Sequence, residues 1–124
     1  MKALFIGGTG VISSACVRQA VKQGLAVSVL NRRRSSRPIP PDVEIIQVDI
    51  HDQAAVEKAL EGRYFDVVVD WIAFTPTEIE RDLTLFAGRT GQYIFISSAS
   101  AYQTPPQSLP VTESTPLHNP YWQY

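Results

Sequence analysis

Residues 5–13 read Phe5-Ile6-Gly7-Gly8-Thr9-Gly10-Val11-Ile12-Ser13, and the fold turns on what this stretch must be. The apolar run 3–6 ahead of it has the length of a short buried strand. Behind it, residues 11–23 place Ile12, Cys16 and Ala20 at helical spacing, flank them with Val17 and Val21, and meet a stop at Gly24. The corner between strand and helix is therefore almost bare of side chains. Gly7, Gly8 and Gly10 permit positive φ and remove Cβ atoms where a ligand must touch backbone. The helix opening at Val11 and Ile12 then points free N–H groups and its positive dipole end at the same spot, which favours a phosphate. In this strand–turn–helix setting Gly7, Gly8, Thr9, Gly10, Val11 and Ile12 read as the cradle of a dinucleotide diphosphate. The last position of the G-x-G-x-x-G pattern is Ser13, so a hydroxymethyl group must fit where the helix packs on the sheet.

Outward from this corner, apolar runs and helical stretches alternate. Residues 25–30 form a second strand. The basic, proline-rich stretch 31–42 has no helical periodicity, so the crossover to the third strand, 43–48, lacks its usual helix. Asp52 caps a helix bearing Val56, Ala59 and Leu60, stopped by Gly62. Residues 65–71 form a fourth strand whose run Val67-Val68-Val69 implies burial on both faces. Thr75, Pro76 and Glu78 form a capping box at the start of a helix with Ile79, Leu83 and Phe86 on its inner face. A fifth strand spans 92–97. The prolines at 105, 106, 110, 116 and 120 imply an irregular segment beyond it. The pattern predicts one α/β domain over residues 1–124, a Rossmann-type doubly wound parallel sheet of order 3-2-1-4-5.

Composition narrows the function classes. With 44% apolar and 19% charged residues and a net charge of −1, the chain is an ordinary globular domain without the basic excess of a nucleic-acid or acidic-membrane binder. A single cysteine, Cys16, excludes an internal disulfide and suits a reducing cytoplasm. No apolar run approaches the roughly 20 residues of a membrane span, and the start is too short for a signal sequence before glycines interrupt it.

The residue closing the second strand reads the adenosine ribose in such folds: a carboxylate selects NAD, a basic neighbour accommodates the 2′-phosphate of NADP. This chain offers Asn31 and Arg32, then Arg33, Arg34 and Arg37, and no carboxylate until Asp42. The reading favours NADP over NAD, against the alternative of a solvated basic loop. RNA binding through the same arginines is a minor alternative, disfavoured by the neutral charge and the lack of interleaved aromatics.

The segments Gly7–Ser13, Val48-Asp49-Ile50, Asp70-Trp71-Ile72-Ala73-Phe74 and the run 95–102 (Phe-Ile-Ser-Ser-Ala-Ser-Ala-Tyr) stand in order at strand ends. Together they resemble the short-chain dehydrogenase/reductase superfamily, in particular its extended and atypical NAD(P)-dependent epimerase/dehydratase members, and the likeness covers their N-terminal part. The resemblance implies that Asp49 and Ile50 hold the adenine and that Trp71, Ile72 and Ala73 line the diphosphate and nicotinamide ribose. It implies that Ser98 is the catalytic hydroxyl, with Ser97 or Ser100 as alternatives of register. Glu113, Pro116 and Pro120 match a run leading to the family's Tyr-x-x-x-Lys motif. Tyr124 falls at the spacing of its tyrosine, and the lysine would lie four positions beyond the last residue. The aromatic tail thus resembles the first turn of a catalytic helix cut short, so the domain is expected to be truncated and its isolated activity negligible.

The implied activity is that of an oxidoreductase or isomerase acting on a nucleotide sugar or related carbonyl compound. A tyrosine of ordinary pKa about 10 can exchange a proton with the reacting oxygen once nearby positive charge lowers it, and a serine hydroxyl can fix that oxygen. The rival reading is a sensor that binds NAD(P)(H) without chemistry. Trp71 serves equally as core packing, Cys16 belongs on the buried helix face, His51 and His118 read as surface histidines, and no metal set is expected. Loss of the covering elements is expected to leave Val67, Val69, Phe95 or their neighbours against water, and hence to favour a homo-oligomer.

Overall fold

A computed structural model describes residues 1–121; Tyr124 lies outside the described residues. Five strands, β1 (Lys2–Ile6), β2 (Ala26–Asn31), β3 (Glu44–Gln47), β4 (Phe65–Asp70) and β5 (Thr90–Phe95), form one sheet of order β3-β2-β1-β4-β5. Every pairing is parallel, in the expected order. Helices α1 (Val11–Lys22), α2 (Gln53–Ala59) and α3 (Pro76–Phe86) connect them, and no helix joins β2 to β3. Strand ends differ from expectation by one to two residues, as hydrogen bonding rather than apolarity sets them.

The strand side chains alternate between two cores. Leu4, Ile6, Leu30, Ile46 and Val68 face α2 and α3, which contribute Val56, Leu60, Leu85 and Phe86. Phe5, Val27, Val29, Val67 and Val69 face the other way, beneath Val17 and Ala20 of α1. Such period-two alternation with burial on both sides is what a central parallel sheet demands.

Two helical faces differ from the expected ones. In α1 the buried positions are Ser13, Ser14, Val17 and Ala20, Cys16 is only half-buried, and Ile12 is 68% exposed. In α3, Asp82, Leu85 and Phe86 point inward and Leu83 is 53% exposed. The helix is turned by about one residue because Asp82 has polar partners in the sheet, described below, and those outweigh one leucine. Val67 and Val69 are also buried, since Trp71 and Ile94 pack over that side of the sheet. Phe95 and Ile96, beyond them, are exposed. The expected caps are in place. Asp52 accepts from Ala55 N–H at 3.1 Å. Glu78 accepts from the N–H groups of Phe74 and Thr75 at 2.8 and 3.0 Å, which together hold its carboxyl below the ordinary range. Among the described residues no helix is long and apolar enough to cross a membrane.

Candidate cofactor site

Parallel strands deliver their following loops to one edge. Ile6 is in register with both Leu30 and Asp70, so the glycine turn, the arginine loop and the Trp71–Phe74 segment begin side by side. The ladder runs on for one more bond at several strands. Gly7 N–H donates to Leu30 O at 2.9 Å, Trp71 N–H to Ile6 O at 3.2 Å and Ile96 N–H to Asp70 O at 3.0 Å. The chain's connections leave to opposite faces on the two sides of β1, and a crevice opens where they part.

The turn depends on its glycines. Gly7 and Gly8 have φ of +104° and +72°. A Cβ on Gly8 would lie 2.8 and 2.9 Å from the two methyls of Val29, and one on Gly7 would lie 3.0 Å from Ile72 Cγ2. The corner thus sits directly on the sheet. Ser13, where the third glycine was expected, turns its Oγ toward Gly10 and accepts its N–H at 2.9 Å. Its hydroxymethyl group, 4% exposed, fits because it serves this bond. The first-turn N–H groups of α1 have no carbonyl one turn earlier and face the crevice's end of the helix.

The crevice has two lobes on either side of this turn. One, of about 540 Å3, is lined by Gly10–Ser13, Trp71, Ala73, Phe74 and the segment 95–99. The other, of about 250 Å3, is lined by Gly7, Thr9, Asn31–Ser35, Val48–His51 and Ile72. Trp71, Ile72 and Ala73 therefore divide between the lobes: Trp71 and Ala73 line the larger, and Ile72 lines the smaller together with Gly7. Such a two-ended cleft with a backbone cradle in the middle suits a dinucleotide. A Cβ on Gly7 would meet Ile72 Cγ2 at 3.0 Å, so glycine alone leaves this backbone bare beside the smaller lobe, and the residues present fit the group. Trp71 packs edge-on to Phe5 at 6.2 Å between centroids, so it is both core and wall. Its indole N–H is buried without an acceptor among the described residues, a donor that costs about 1–3 kcal/mol when left unmet.

In the smaller lobe, Asn31 is engaged with backbone: its Nδ2 donates to Gly7 O at 3.4 Å and its Oδ1 accepts from Arg33 N–H at 2.8 Å. That bond holds Arg33 at φ +55°. Arg32 stands 3.6 Å from Asp49, and Arg37 reaches back to donate to Thr9 O at 3.0 Å. Asp49 also accepts from His51 N–H at 3.1 Å. Its carboxyl is held below the ordinary range first by that bond and then by the charge of Arg32. Ile50 is 2% exposed and forms the lobe's floor from within the core.

In the larger lobe, Ser98 is exposed on the wall. Its Oγ lies 2.7 Å from Ser100 Oγ and accepts from Ser100 N–H at 3.2 Å, capping the short turn Ala99–Ala101. A residue not singled out in the sequence organises the floor. Asp70, fully buried at the end of β4, accepts through Oδ1 from the N–H groups of Ile72 and Ala73 at 2.7 and 3.1 Å. The only signal was a carboxylate closing an otherwise apolar buried strand. Phe74, Phe95 and Ile96 also line this lobe while 64%, 41% and 36% exposed.

Comparison with known proteins agrees with this arrangement. Residues 7–123 match the NAD(P)H-binding family. The chain is 33% identical over 141 aligned positions to a UDP-glucose 4-epimerase of Lactobacillus helveticus, covering 98% of this chain and 43% of that protein. Among solved structures, the UDP-Glc/GlcNAc 4-epimerase of Campylobacter jejuni aligns with a TM-score of 0.78 at 22% identity, over 95% of this chain and 43% of its own. The UDP-glucose 4-epimerase of Bifidobacterium longum, determined with NAD+ and UDP, aligns with a TM-score of 0.78 at 22% identity, over 98% and 44%. The chain thus spans less than half the length of these relatives and carries the Rossmann fold they share. With a glycine cradle between two lobes at the switch point of a parallel sheet, the chain belongs to the NAD(P)H-binding family.

Proposed function

We propose that this chain is the cofactor-holding part of an NAD(P)-dependent oxidoreductase or isomerase of the epimerase/dehydratase type, acting on a nucleotide sugar or related carbonyl compound. The observation that carries the reading is the two-lobed crevice across Gly7–Gly10, joined to the likeness to UDP-glucose 4-epimerases. The adenosine end occupies the smaller lobe, beside Asp49 and over Ile50. The diphosphate lies on the backbone of Gly7, Gly8, Thr9, Gly10, Val11 and Ile12. The nicotinamide end lies in the larger lobe against Trp71 and Ala73, with Ile72 at the crossing.

The bound nicotinamide supplies a hydride acceptor and donor. Ser98 holds the substrate oxygen by a hydrogen bond, exchanging its present contact with Ser100 for one with substrate. Tyr124, at the matching motif position, exchanges the proton at that oxygen. The large apolar lobe, walled by Phe74, Phe95 and Ile96, excludes water from the reacting carbon. The expected site is the cytoplasm, and the exposed apolar rim is covered by further chain or by a second copy.

NADP is favoured over NAD. Asn31 is tied to backbone, no carboxylate stands at the end of β2, and Arg32, Arg33 and Arg34 line the lobe. The test is titration with NADPH and NADH, followed by fluorescence. A preference for NADPH that disappears in Arg32→Ala supports the 2′-phosphate reading; equal affinities, or a preference untouched by the variant, removes it. Binding of both without any hydride transfer by the full-length protein would favour a sensor.

A further inference from the structure

Behind the crevice lies a buried polar cluster that dinucleotide contacts do not explain. Asp70 of β4 and Asp82 of α3 are each 0% exposed. The Tyr93 hydroxyl of β5 lies 3.2 Å from Asp70 Oδ2 and 3.0 Å from Asp82 Oδ2, so one hydroxyl bridges the two buried carboxyl groups. The outer oxygens are committed elsewhere. Asp70 Oδ1 takes the N–H groups of Ile72 and Ala73. Asp82 Oδ1 takes Arg81, whose Nε donates at 2.8 Å and whose Nη2 lies 2.7 Å away. Arg81 Nη1 in turn meets His51 Nδ1 at 3.0 Å.

Proton counting decides what this cluster is. A tyrosine carries a single hydroxyl hydrogen, yet two carboxyl oxygens face it. With both aspartates ionised, one of these contacts would set lone pair against lone pair, with two buried anions beside a single guanidinium. Such like-charged neighbours hold one proton in common. Its place is one of the two Oδ2 atoms, the oxygens that neither backbone nor arginine occupies.

We propose that Asp70 and Asp82 are a proton-sharing carboxyl pair that positions both walls of the dinucleotide crevice. One arm is the Asp70 bond to the Ile72–Ala73 turn; the other runs from Asp82 through Arg81 to His51, beside Asp49. The proposal rests on the reading of the crevice as the dinucleotide site. Neither aspartate touches the cofactor in this scheme; both act through the turns they hold. Desolvation, and then the contact with Asp70, pushes Asp82 up to about 7, so the proton leaves within the neutral range. Above that pH two anions face each other, and the Ile72–Ala73 turn loses its anchor's fixed position. The charged or titratable groups facing the pair are Tyr93 from β5, Arg81 from its own helix and, beyond Arg81, His51 from the turn after β3; Glu78 lies one helical turn away on α3.

The test measures dinucleotide affinity, with NADPH and NADH, from pH 5.5 to 8.5 in the wild type, Asp82→Asn, Tyr93→Phe and His51→Gln. Comparing variants cancels titration of the cofactor's own phosphates. In the wild type, affinity is expected to fall as pH rises, approaching the limit of about tenfold per unit that one linked proton allows. Asp82→Asn, which carries its hydrogens permanently, flattens that fall, and His51→Gln retains it. Tyr93→Phe keeps ring stacking on Phe86 but withdraws the hydroxyl from the carboxylates, moving the midpoint to higher pH. This variant carries the test alone if Asp82→Asn does not fold. Dinucleotide binding with the same pH profile in wild type, Asp82→Asn and Tyr93→Phe overturns the proposal and leaves the cofactor reading intact. Loss of the profile in His51→Gln alone also overturns it. Absence of dinucleotide binding at every pH overturns both.

Discussion

Replacing Gly8 with alanine tests the close seating of the glycine turn on the sheet. Gly8 has φ +72°, and its added Cβ would stand 2.8 and 2.9 Å from the methyls of Val29, a side chain with no exposure. Ordinary carbon contacts begin near 3.5 Å, and β-branched Val29 is stiff at χ1, so the neighbour cannot simply swing away. Gly24 is the internal control. Its φ is +77°, and a Cβ there meets nothing within 4 Å. Both variants incur left-handed strain of about 1–2 kcal/mol, and both restrict the unfolded chain alike. Their difference is therefore the packing conflict, roughly 1–3 kcal/mol. Urea unfolding with linear extrapolation measures it. Gly8→Ala is expected to lose that much more stability than Gly24→Ala and to weaken dinucleotide binding, which Gly24→Ala leaves unchanged. Adding Val29→Ala makes room, so the double variant is less destabilised than the sum of the singles. Equal losses at Gly8 and Gly24, or strict additivity with Val29→Ala, would refute the reasoning.

The remaining expected outcomes concern charge, capping and exposed apolar surface. The folded protein binds the shared proton more tightly than the unfolded chain, so Asp82 stabilises at low pH and that contribution fades as pH rises toward its folded pKa of about 7. Unfolding free energy should fall by about 2 kcal/mol between pH 5 and 7.5, a slope that denaturation of Asp82→Asn should lack. Glu44 acts with the opposite sign. Its carboxyl is held low first by Arg63 and then by Ser28, so its contribution is present above its ordinary pKa of 4.5 and disappears as the solution is acidified below it; Arg63→Ala should make the acid limb shallower in a pH-stability scan. Thr75→Ala removes the cap on Glu78 N–H and should cost about 1 kcal/mol, read by thermal melting. Leu83, Phe74, Phe95 and Ile96 leave apolar surface in water, so the isolated chain should self-associate in analytical ultracentrifugation; Phe95→Lys should shift it toward monomer, and a monodisperse wild-type monomer would contradict this.

Much of the architecture was readable in one dimension. A glycine corner between an apolar run and a helical pattern, proline and threonine at the start of α3, and an aspartate ahead of α2 all act on neighbouring backbone, so local chemistry suffices. The parallel order 3-2-1-4-5 follows because short connections and handed crossovers leave few other ways to bury these strands. Asn31 stands at the expected place, but its amide binds the backbone of Gly7 and Arg33, a role that no spacing rule could announce. Leu83 and Ile12 were assigned inward from apolarity alone. The inner face of α3 is set instead by Asp82, which meets Asp70 and Tyr93 from two different strands. A helix read by itself offers Asp82 as a solvent residue. Only the folded sheet puts three chain-distant polar groups together away from water, where each must be satisfied by the others, and that requirement outweighs the transfer of one leucine side chain out of solvent.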